Sequence, residues 1–204
     1  NFIMSTLETN LIQPSTGTSL TIGASGDTIT IPSGATITNS GTASGFGGIT
    51  MADQWRLSTS RTGVTNSFLT ANLEQIDSSG QGTLGSAMTE SSGVFTFPST
   101  GIYLVIFNLV VYASSNDGFV DAEIHVTTNN SAYAEVAKAS SGIYMGTTGD
   151  NVSNMGVAQT LIDVTDTSNV KVKFYVDTLN STTTVYGSST ATLTGFTFIR
   201  LGDT

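Results

Sequence analysis

Ile102-Tyr103-Leu104-Val105-Ile106-Phe107 opens the longest apolar run of the chain, which continues to Tyr112 with an interruption at Asn108. Because side chains alternate between the two faces of a β-strand, apolar residues at both parities predict a strand that is covered on both faces. One face suits the core of a β-sandwich, and an identical subunit is the simplest cover for the other. A membrane-spanning helix needs roughly 20 apolar residues, so this shorter run predicts a buried strand instead.

The amino-acid composition excludes some kinds of binding site and disfavours some kinds of binding partner for this protein. The 204 residues include no Cys and 1 His, and 6 Lys+Arg against 15 Asp+Glu give a net charge of −9. A disulfide framework and a cysteine-based zinc site are therefore excluded, and the negative charge disfavours nucleic acid and anionic membranes as partners. The first basic residue is Arg56, so the sequence gives no support for export by a signal peptide, which would begin with a basic residue; removal of an upstream segment stays open as the alternative.

From residue 49 onward, short apolar segments alternate with turn clusters, and no long segment has helical spacing. This pattern predicts an all-β domain. Within one segment, Val170, Val172 and Phe174 share a face opposite Lys171 and Lys173, which predicts a core side and a wet side. We expect strands at residues 68–76, 93–97, 102–112, 119–127, 132–139, 155–163, 170–177, 182–186 and 191–201.

The first 48 residues differ from the rest because they contain no Lys or Arg. Apolar pairs recur there around a Thr, and a glycine follows each pair: Leu20/Ile22 before Gly23, Ile29/Ile31 before Gly34, and Ala35/Ile37 before Gly41. Alternation with glycine turns predicts short β-rungs. Such rungs bury too little surface to offset a backbone ordering cost of about 1–2 kcal/mol per residue. Two interpretations stay open: a segment that is disordered in the monomer or, as we favour, a neck in which several copies wind together.

In the favoured interpretation, the residues that pack between copies of the neck are Leu20, Ile22, Ile29, Ile31 and Ile37. The Gly-rich stretch at 41–48 is the expected linker. The predicted domains are therefore an N-terminal attachment neck at 1–48 and a head domain at 49–204.

Two segments of the head domain carry a family resemblance. Gly93-Val94-Phe95-Thr96-Phe97-Pro98-Ser99-Thr100-Gly101-Ile102-Tyr103 resembles a signature of the globular head of complement's first component and its tumour-necrosis-factor-like relatives, and Leu193-Thr194-Gly195-Phe196-Thr197-Phe198 is similar to that family's closing strand. The resemblance covers residues 52–203 and implies a trimeric jelly-roll β-sandwich whose long apolar strand packs at a threefold axis. The chain departs from the family in lacking its Cys and in a Gly-rich insertion near 140–156.

The expected core or trimer-interface residues lie on the strands of these two segments. They are Phe95, Tyr103, Val105, Ile106, Phe107, Leu109 and Phe196. Periodicity alone does not decide which face of the strand at 102–112 forms the subunit interface.

A second resemblance lies in the N-terminal region. Gly26-Asp27-Thr28-Ile29-Thr30-Ile31-Pro32-Ser33-Gly34-Ala35-Thr36-Ile37 resembles a segment near the start of tail-fibre and other virion appendage proteins of marine bacteriophages. This resemblance implies a phage structural protein that is assembled in the host cytoplasm and located in the virion.

Candidate catalytic and metal-binding residues are few. His125 alternates with core residues of its strand and is expected to face solvent, and neighbouring carboxylates such as Asp163 and Asp166 suit turns. A calcium cluster of Asp117, Asp121 and Asp150 is a weaker alternative. We expect no enzyme activity, no catalytic residues, no metal and no cofactor.

The loop at 140–151 is the candidate surface-contact loop, because aromatic residues and Met are enriched where proteins bind one another. Its candidate contact residues are Ile143, Tyr144 and Met145. The alternative is that Tyr144 and Met145 fold back over the jelly roll or onto a neighbouring subunit.

The predicted protein is thus a homotrimeric, fibre-like or spike-like virion appendage. Its head would recognise a host-surface glycan or protein, and its N-terminal region would bind other virion proteins. A capsid decoration protein that stabilises the shell is the alternative, and an enzyme that degrades glycans is a remote one.

Overall fold

The structure is a computed structural model that describes residues 12–39, 48–147, 151–178 and 180–204. The chain divides into two compact units, Asn1–Gly45 and Phe46–Thr204. The predicted linker lies outside the described residues except for Gly48, and Asp150 of the calcium alternative also lies outside them. None of the described residues belongs to a helix that is long and apolar enough to span a membrane.

Residues 12–39 of the first unit contain turns but no strand. The backbone N–H of Asp27 donates to the carbonyl of Ala24 at 3.0 Å, and that of Ala35 donates to the carbonyl of Pro32 at 3.0 Å. Gly23 and Gly34 have φ of 82° and 87°, so the predicted turn glycines adopt the left-handed region that favours glycine. Residues 12–39 of a single chain therefore form none of the predicted β-rungs, because their few apolar side chains do not offset the cost of ordering.

The second unit is built from short antiparallel strands. They are β1 (Met51–Leu57), β2 (Thr59–Thr62), β3 (Ser67–Phe68), β4 (Leu73–Gln75), β5 (Thr89–Ser91), β6 (Val94–Thr96), β7 (Gly101–Ala113), β8 (Asp117–Thr127), β9 (Ala134–Ile143), β10 (Val152–Val164), β11 (Lys171–Thr178), β12 (Thr184–Ser188) and β13 (Gly195–Gly202).

These strands form two antiparallel sheets that pack as a sandwich. In the larger sheet the order is β2-β12-β7-β13-β1-β4, and β10 also pairs with β7, along its whole length. In the smaller sheet the order is β5-β6-β11-β8-β9, and β3 also pairs with β11. The predicted all-β sandwich is confirmed.

The core lies between the sheets and is rich in aromatic side chains. The ring of Phe107 on β7 lies 5.2 Å, centroid to centroid, from Phe174 on β11 and 5.2 Å from Phe196 on β13. Alternation along β7 places its odd-numbered side chains in this core. The candidates that lie there with 0% exposure are Phe95, Tyr103, Val105, Phe107, Leu109 and Phe196. Ile106 has the opposite parity and points away from the core.

Three parts of the strand prediction were wrong. The expected strand at 68–76 is split into β3 and β4, because Asn72 between them has a φ of 60°. β1, β2 and β5 were not expected, since polar and charged residues interrupt their apolar pattern. The Gly-rich insertion near 140–156 is much shorter than expected, because β9 continues to Ile143 and β10 begins at Val152.

Candidate functional site

The outward face of the larger sheet is apolar at its centre. Leu104, Ile106 and Val110 of β7 lie on this face and are half-buried. On the adjacent edge strand β10, Met155 and Leu161 are 59% and 61% exposed. The even-numbered apolar residues of β7 therefore lie on a face that a single chain covers only in part.

Cross-strand pairing extends this apolar face over four strands. One row consists of Leu161, Leu104, Ile199 and Ala52 from β10, β7, β13 and β1. The next row consists of Gln159, Ile106, Thr197 and Gln54 on the same strands. Neither row contains a charged side chain, but the second row is polar at every position except Ile106. We call these two rows, together with Val110, Met155 and Val157, the apolar face.

A shallow groove of about 420 Å³ continues the apolar face past β1. Its lining includes Ala52 and Ile199 of the first row and, beyond them, Ile76 and Leu84. The backbone of Leu84 is held there, since its N–H donates to the carbonyl of Ala52 at 2.9 Å. The groove therefore extends the surface from the edge strand β10 to the segment that follows β4, although Asp53 and several polar residues also line it.

The outward face of the smaller sheet is charged. On β8 and β9, the ammonium of Lys138 lies 2.8 Å from Glu123 Oε1, 3.3 Å from Asp121 Oδ2 and 3.5 Å from Glu135 Oε2. Glu123 Oε2 lies 2.7 Å from His125 Nε2. We call these five residues the charged cluster.

Hydrogen bonding fixes the charges of the two central members of the charged cluster. Burial opposes ionisation of Glu123, but hydrogen bonds from Lys138 and His125 outweigh burial and lower the pKa of Glu123. The hydrogen bond to Glu123 raises the pKa of Lys138 despite burial. The pair therefore stays ionised at neutral pH.

The prediction that His125 faces solvent was wrong. Its side chain is only 15% exposed, because its ring lies between Phe68 and Tyr175 with centroid distances of 5.2 Å and 5.3 Å. Aromatic side chains from β3 and β11 cover the outward face of β8 at this point. Sequence alternation located the correct face but could not show what covers it.

Of the possible kinds of site, the charged cluster is most similar to one that binds a metal ion. Ligand atoms of Glu123, His125 and Glu135 lie within 4.8 Å of one another. The ammonium of Lys138 contacts the carboxylates of Glu123 and Glu135, so a positively charged group of the chain itself already lies beside these ligand atoms. Two residues of the alternative calcium cluster have other partners. Asp121 forms an ion pair with Lys138, and Asp117 accepts a hydrogen bond from Thr183 Oγ1 at 2.5 Å.

The three candidate contact residues of the loop differ in their exposure to solvent. Tyr144 is 82% exposed and is available for contact. Ile143 and Met145 are 3% and 8% exposed and belong to the hydrophobic core, so their assignment as surface residues was wrong. Ile143 is the last residue of β9 and pairs with Asp117, while the backbone N–H of Met145 donates to Asn116 Oδ1 at 2.7 Å.

Comparison with solved structures reveals the same architecture in two other proteins. A structure of Eiger TNF from S. frugiperda is similar with a TM-score of 0.54 at 11% identity, covering 76% of this chain and 95% of that chain. The crystal structure of murine APRIL at pH 5.0 is similar with a TM-score of 0.52 at 9% identity, covering 74% and 98%. The fold is a tumour-necrosis-factor-like jelly roll. No protein-family model and no curated protein matches the chain.

The jelly roll confirms the fold that the two sequence segments predicted. Gly93 to Tyr103 forms β6, a turn and the start of β7, and Gly195 to Phe198 begins β13. At these identities the likeness concerns the fold alone. Function must therefore be argued from the surfaces of this chain.

Proposed function

We propose that this protein is a homotrimeric structural protein of a bacteriophage virion, whose jelly-roll head recognises the host surface without catalysis. The observation that carries the proposal is the difference between the two outward faces of the sandwich. The apolar face of the larger sheet lacks charge across two rows of side chains, whereas the smaller sheet presents the charged cluster. The apolar face is suited to burial against another copy of the chain, and the charged face of the smaller sheet is suited to contact with water.

Self-association follows from the cost of leaving the apolar face in water. Monomeric proteins rarely expose contiguous apolar patches larger than a few hundred Å². The patch here lies on a rigid sheet, includes the 61% exposed Leu161 and the 59% exposed Met155, and extends into the groove beside Ala52. Identical subunits that cover such patches form closed symmetric assemblies. A homotrimer agrees with the resemblance of the 93–103 segment to the complement-head family.

The N-terminal segment supports a role in attachment. Its apolar side chains have few partners in one chain, because Ile22, Ile29 and Ile37 are 63%, 60% and 54% exposed. Leu20 and Ile31 are 45% and 47% exposed. Winding of several copies, or contact with other virion proteins, would bury them. The resemblance of residues 26–37 to phage appendage proteins supports the virion as the location.

Light scattering on the 204-residue chain tests the assembly. The wild-type mass should be about three times 21.1 kDa. Ile106→Asp places a charge in the middle of the apolar face, and we expect a particle of 21.1 kDa that keeps its β-sheet circular dichroism. The matched control is Val136→Asp, which adds the same charge to the 48% exposed Val136 on β9 and should remain trimeric. A monomeric wild-type protein would contradict the proposal.

Electron cryo-microscopy of the intact particle tests the location. Density for the trimeric head on a fibre or spike is expected. Density at threefold sites of the shell would instead assign a capsid decoration protein, and absence from the particle would contradict a virion role. Incubation with host polysaccharide tests the proposed lack of catalysis, since shortened polysaccharide chains would reveal an enzyme.

A further inference from the structure

A second cavity lies on the smaller sheet, away from the charged cluster. It is an open cleft of about 470 Å³, within the range of about 300–1,000 Å³ that is typical of small-molecule sites. Its lining combines an aromatic ring, an amide, one carboxylate, one ammonium and several hydroxyl groups. We call this cavity the β5–β6 cleft.

The floor of the β5–β6 cleft is the outward side of three strands. Thr89, Thr96 and Lys171 form one cross-strand row, and Phe95 on the opposite side of β6 lies in the core with 0% exposure. Glu90 pairs with Phe95 and so has the opposite parity from this row. It lines the cleft from the edge strand β5, where its Oε1 accepts a hydrogen bond from the N–H of Gly93 at 2.5 Å. The polar groups of the floor are therefore mounted on regular sheet rather than on a loose loop.

The wall of the cleft is the segment between β8 and β9, which a hydrogen-bond network holds in place. The Oδ1 atom of Asn129 accepts from the N–H groups of Ser131 and Ala132 at 3.0 Å each. The N–H of Asn130 donates to the carbonyl of Asn169 at 3.0 Å. Such bonding within the chain means that little ordering is needed when a ligand binds, which favours affinity.

Tyr133 supplies the aromatic ring of the wall. The ammonium of Lys173 lies 5.0 Å from the centroid of its ring and 4.2 Å from the centroid of Phe68. Burial raises the pKa of Tyr133, so its hydroxyl is protonated and neutral at physiological pH. The ring is thus fixed on one side by a cation–π contact and lines the cleft with its remaining surface.

We propose that the β5–β6 cleft binds a neutral saccharide, with the C–H face of one sugar ring on Tyr133 and its hydroxyl groups on the polar floor. A saccharide hydroxyl both donates and accepts, and the cleft offers Glu90 as acceptor, Lys171 as donor and Asn130 as both. The opposite charges of Glu90 and Lys171 balance within the cleft, which disfavours a charged ligand. The inference depends on the proposed function in one respect only, which is that the host surface is the source of the saccharide.

Titration of the 204-residue protein with methyl glycosides of glucose, galactose, mannose and N-acetylglucosamine tests this inference. Calorimetry or saturation-transfer NMR should detect at least one of them, with a dissociation constant of about 1 mM for so small a ligand. Methyl glucuronide is the acidic probe and should bind more weakly. No binding of any neutral glycoside would overturn the inference while leaving trimer formation and virion location to their own tests.

Variants locate the binding. Tyr133→Ala should weaken binding about tenfold or more, and Tyr133→Phe should retain most of it because the ring remains. Tyr186→Ala, on β12 of the larger sheet, is the matched control that should have no effect, and Tyr144→Ala tests the exposed candidate contact residue as a competing site. Loss of binding in Tyr144→Ala with retention in Tyr133→Ala would place the site elsewhere and overturn the inference.

Charge variants test the neutrality of the ligand. Glu90→Gln keeps an acceptor for the Gly93 N–H but should weaken a neutral sugar a few-fold, since hydrogen bonds to a carboxylate are stronger than those to an amide. Lys171→Gln should weaken a neutral sugar less than Glu90→Gln does. Preferential binding of the glucuronide, lost in Lys171→Gln and improved in Glu90→Gln, would overturn the assignment of a neutral saccharide.

Discussion

At the scale of single residues, the tight turn between β5 and β6 depends on Gly93. Ser92 and Gly93 have φ of 52° and 81°, and a Cβ at Gly93 would lie 2.3 Å from the carbonyl oxygen of Leu69. Gly93→Ala should therefore lower the free energy of unfolding by about 3 kcal/mol, from left-handed strain plus a backbone clash. Urea denaturation at fixed protein concentration measures this loss.

Gly80→Ala is the matched control for that substitution. Gly80 has a similar φ of 88°, but an added Cβ there meets open space. Its cost should be limited to the strain of about 1 kcal/mol. Equal losses in the two variants would mean that the contact with Leu69 does not constrain the turn.

Glu123 should make stability depend on pH. Its pKa is lowered on folding, so its contribution is present above the unfolded pKa of about 4.3 and is lost as the pH falls through the folded value. Between about pH 5 and pH 3, the free energy of unfolding should fall more steeply for the wild-type protein than for Glu123→Gln. Urea denaturation over this pH series measures both slopes. Parallel curves would contradict the prediction.

At the scale of elements, the two parities of β7 should separate stability from assembly. Phe107 has 0% exposure and contacts Phe174 and Phe196, so Phe107→Ala should cost about 3–5 kcal/mol of unfolding free energy. Ile106→Ala on the apolar face should mainly weaken association between subunits. Denaturation and sedimentation of both variants distinguish the effects, and unchanged association in Ile106→Ala would argue against this face as the interface.

At the scale of the whole molecule, an apolar interface between acidic subunits predicts an unusual response to salt. Each chain carries a net charge of −9, and salt screens the repulsion between chains. Raising sodium chloride from about 0.05 M to about 0.5 M should therefore tighten the trimer. Sedimentation at low micromolar concentration measures this change, and dissociation at high salt would indicate an interface made of ion pairs.

Most of the sandwich could be predicted from local patterns, while the surfaces could not. The alternation of Val170, Val172 and Phe174 with two lysines placed the core side of β11 correctly, because a strand that is wet on one face leaves a period of two. Glu123, Lys138 and Glu135 lie on two strands, so their contact depends on register. The β5–β6 cleft likewise joins strands that are far apart in the sequence.

The sequence by itself determined the all-β class and the two-sided character of β7, because these properties follow from hydrophobic period and turn residues, while the jelly roll was implied by the family resemblance of residues 93–103 and 193–198. Only the tertiary structure decided that Phe107 lies in the core while Ile106 faces outward, since pairing with β10 and β13 fixes which parity meets the smaller sheet. It also decided that Ile143 and Met145 are buried and Tyr144 is not. These outcomes depend on which strands become neighbours, and strand neighbours are set by long-range packing rather than by local pattern.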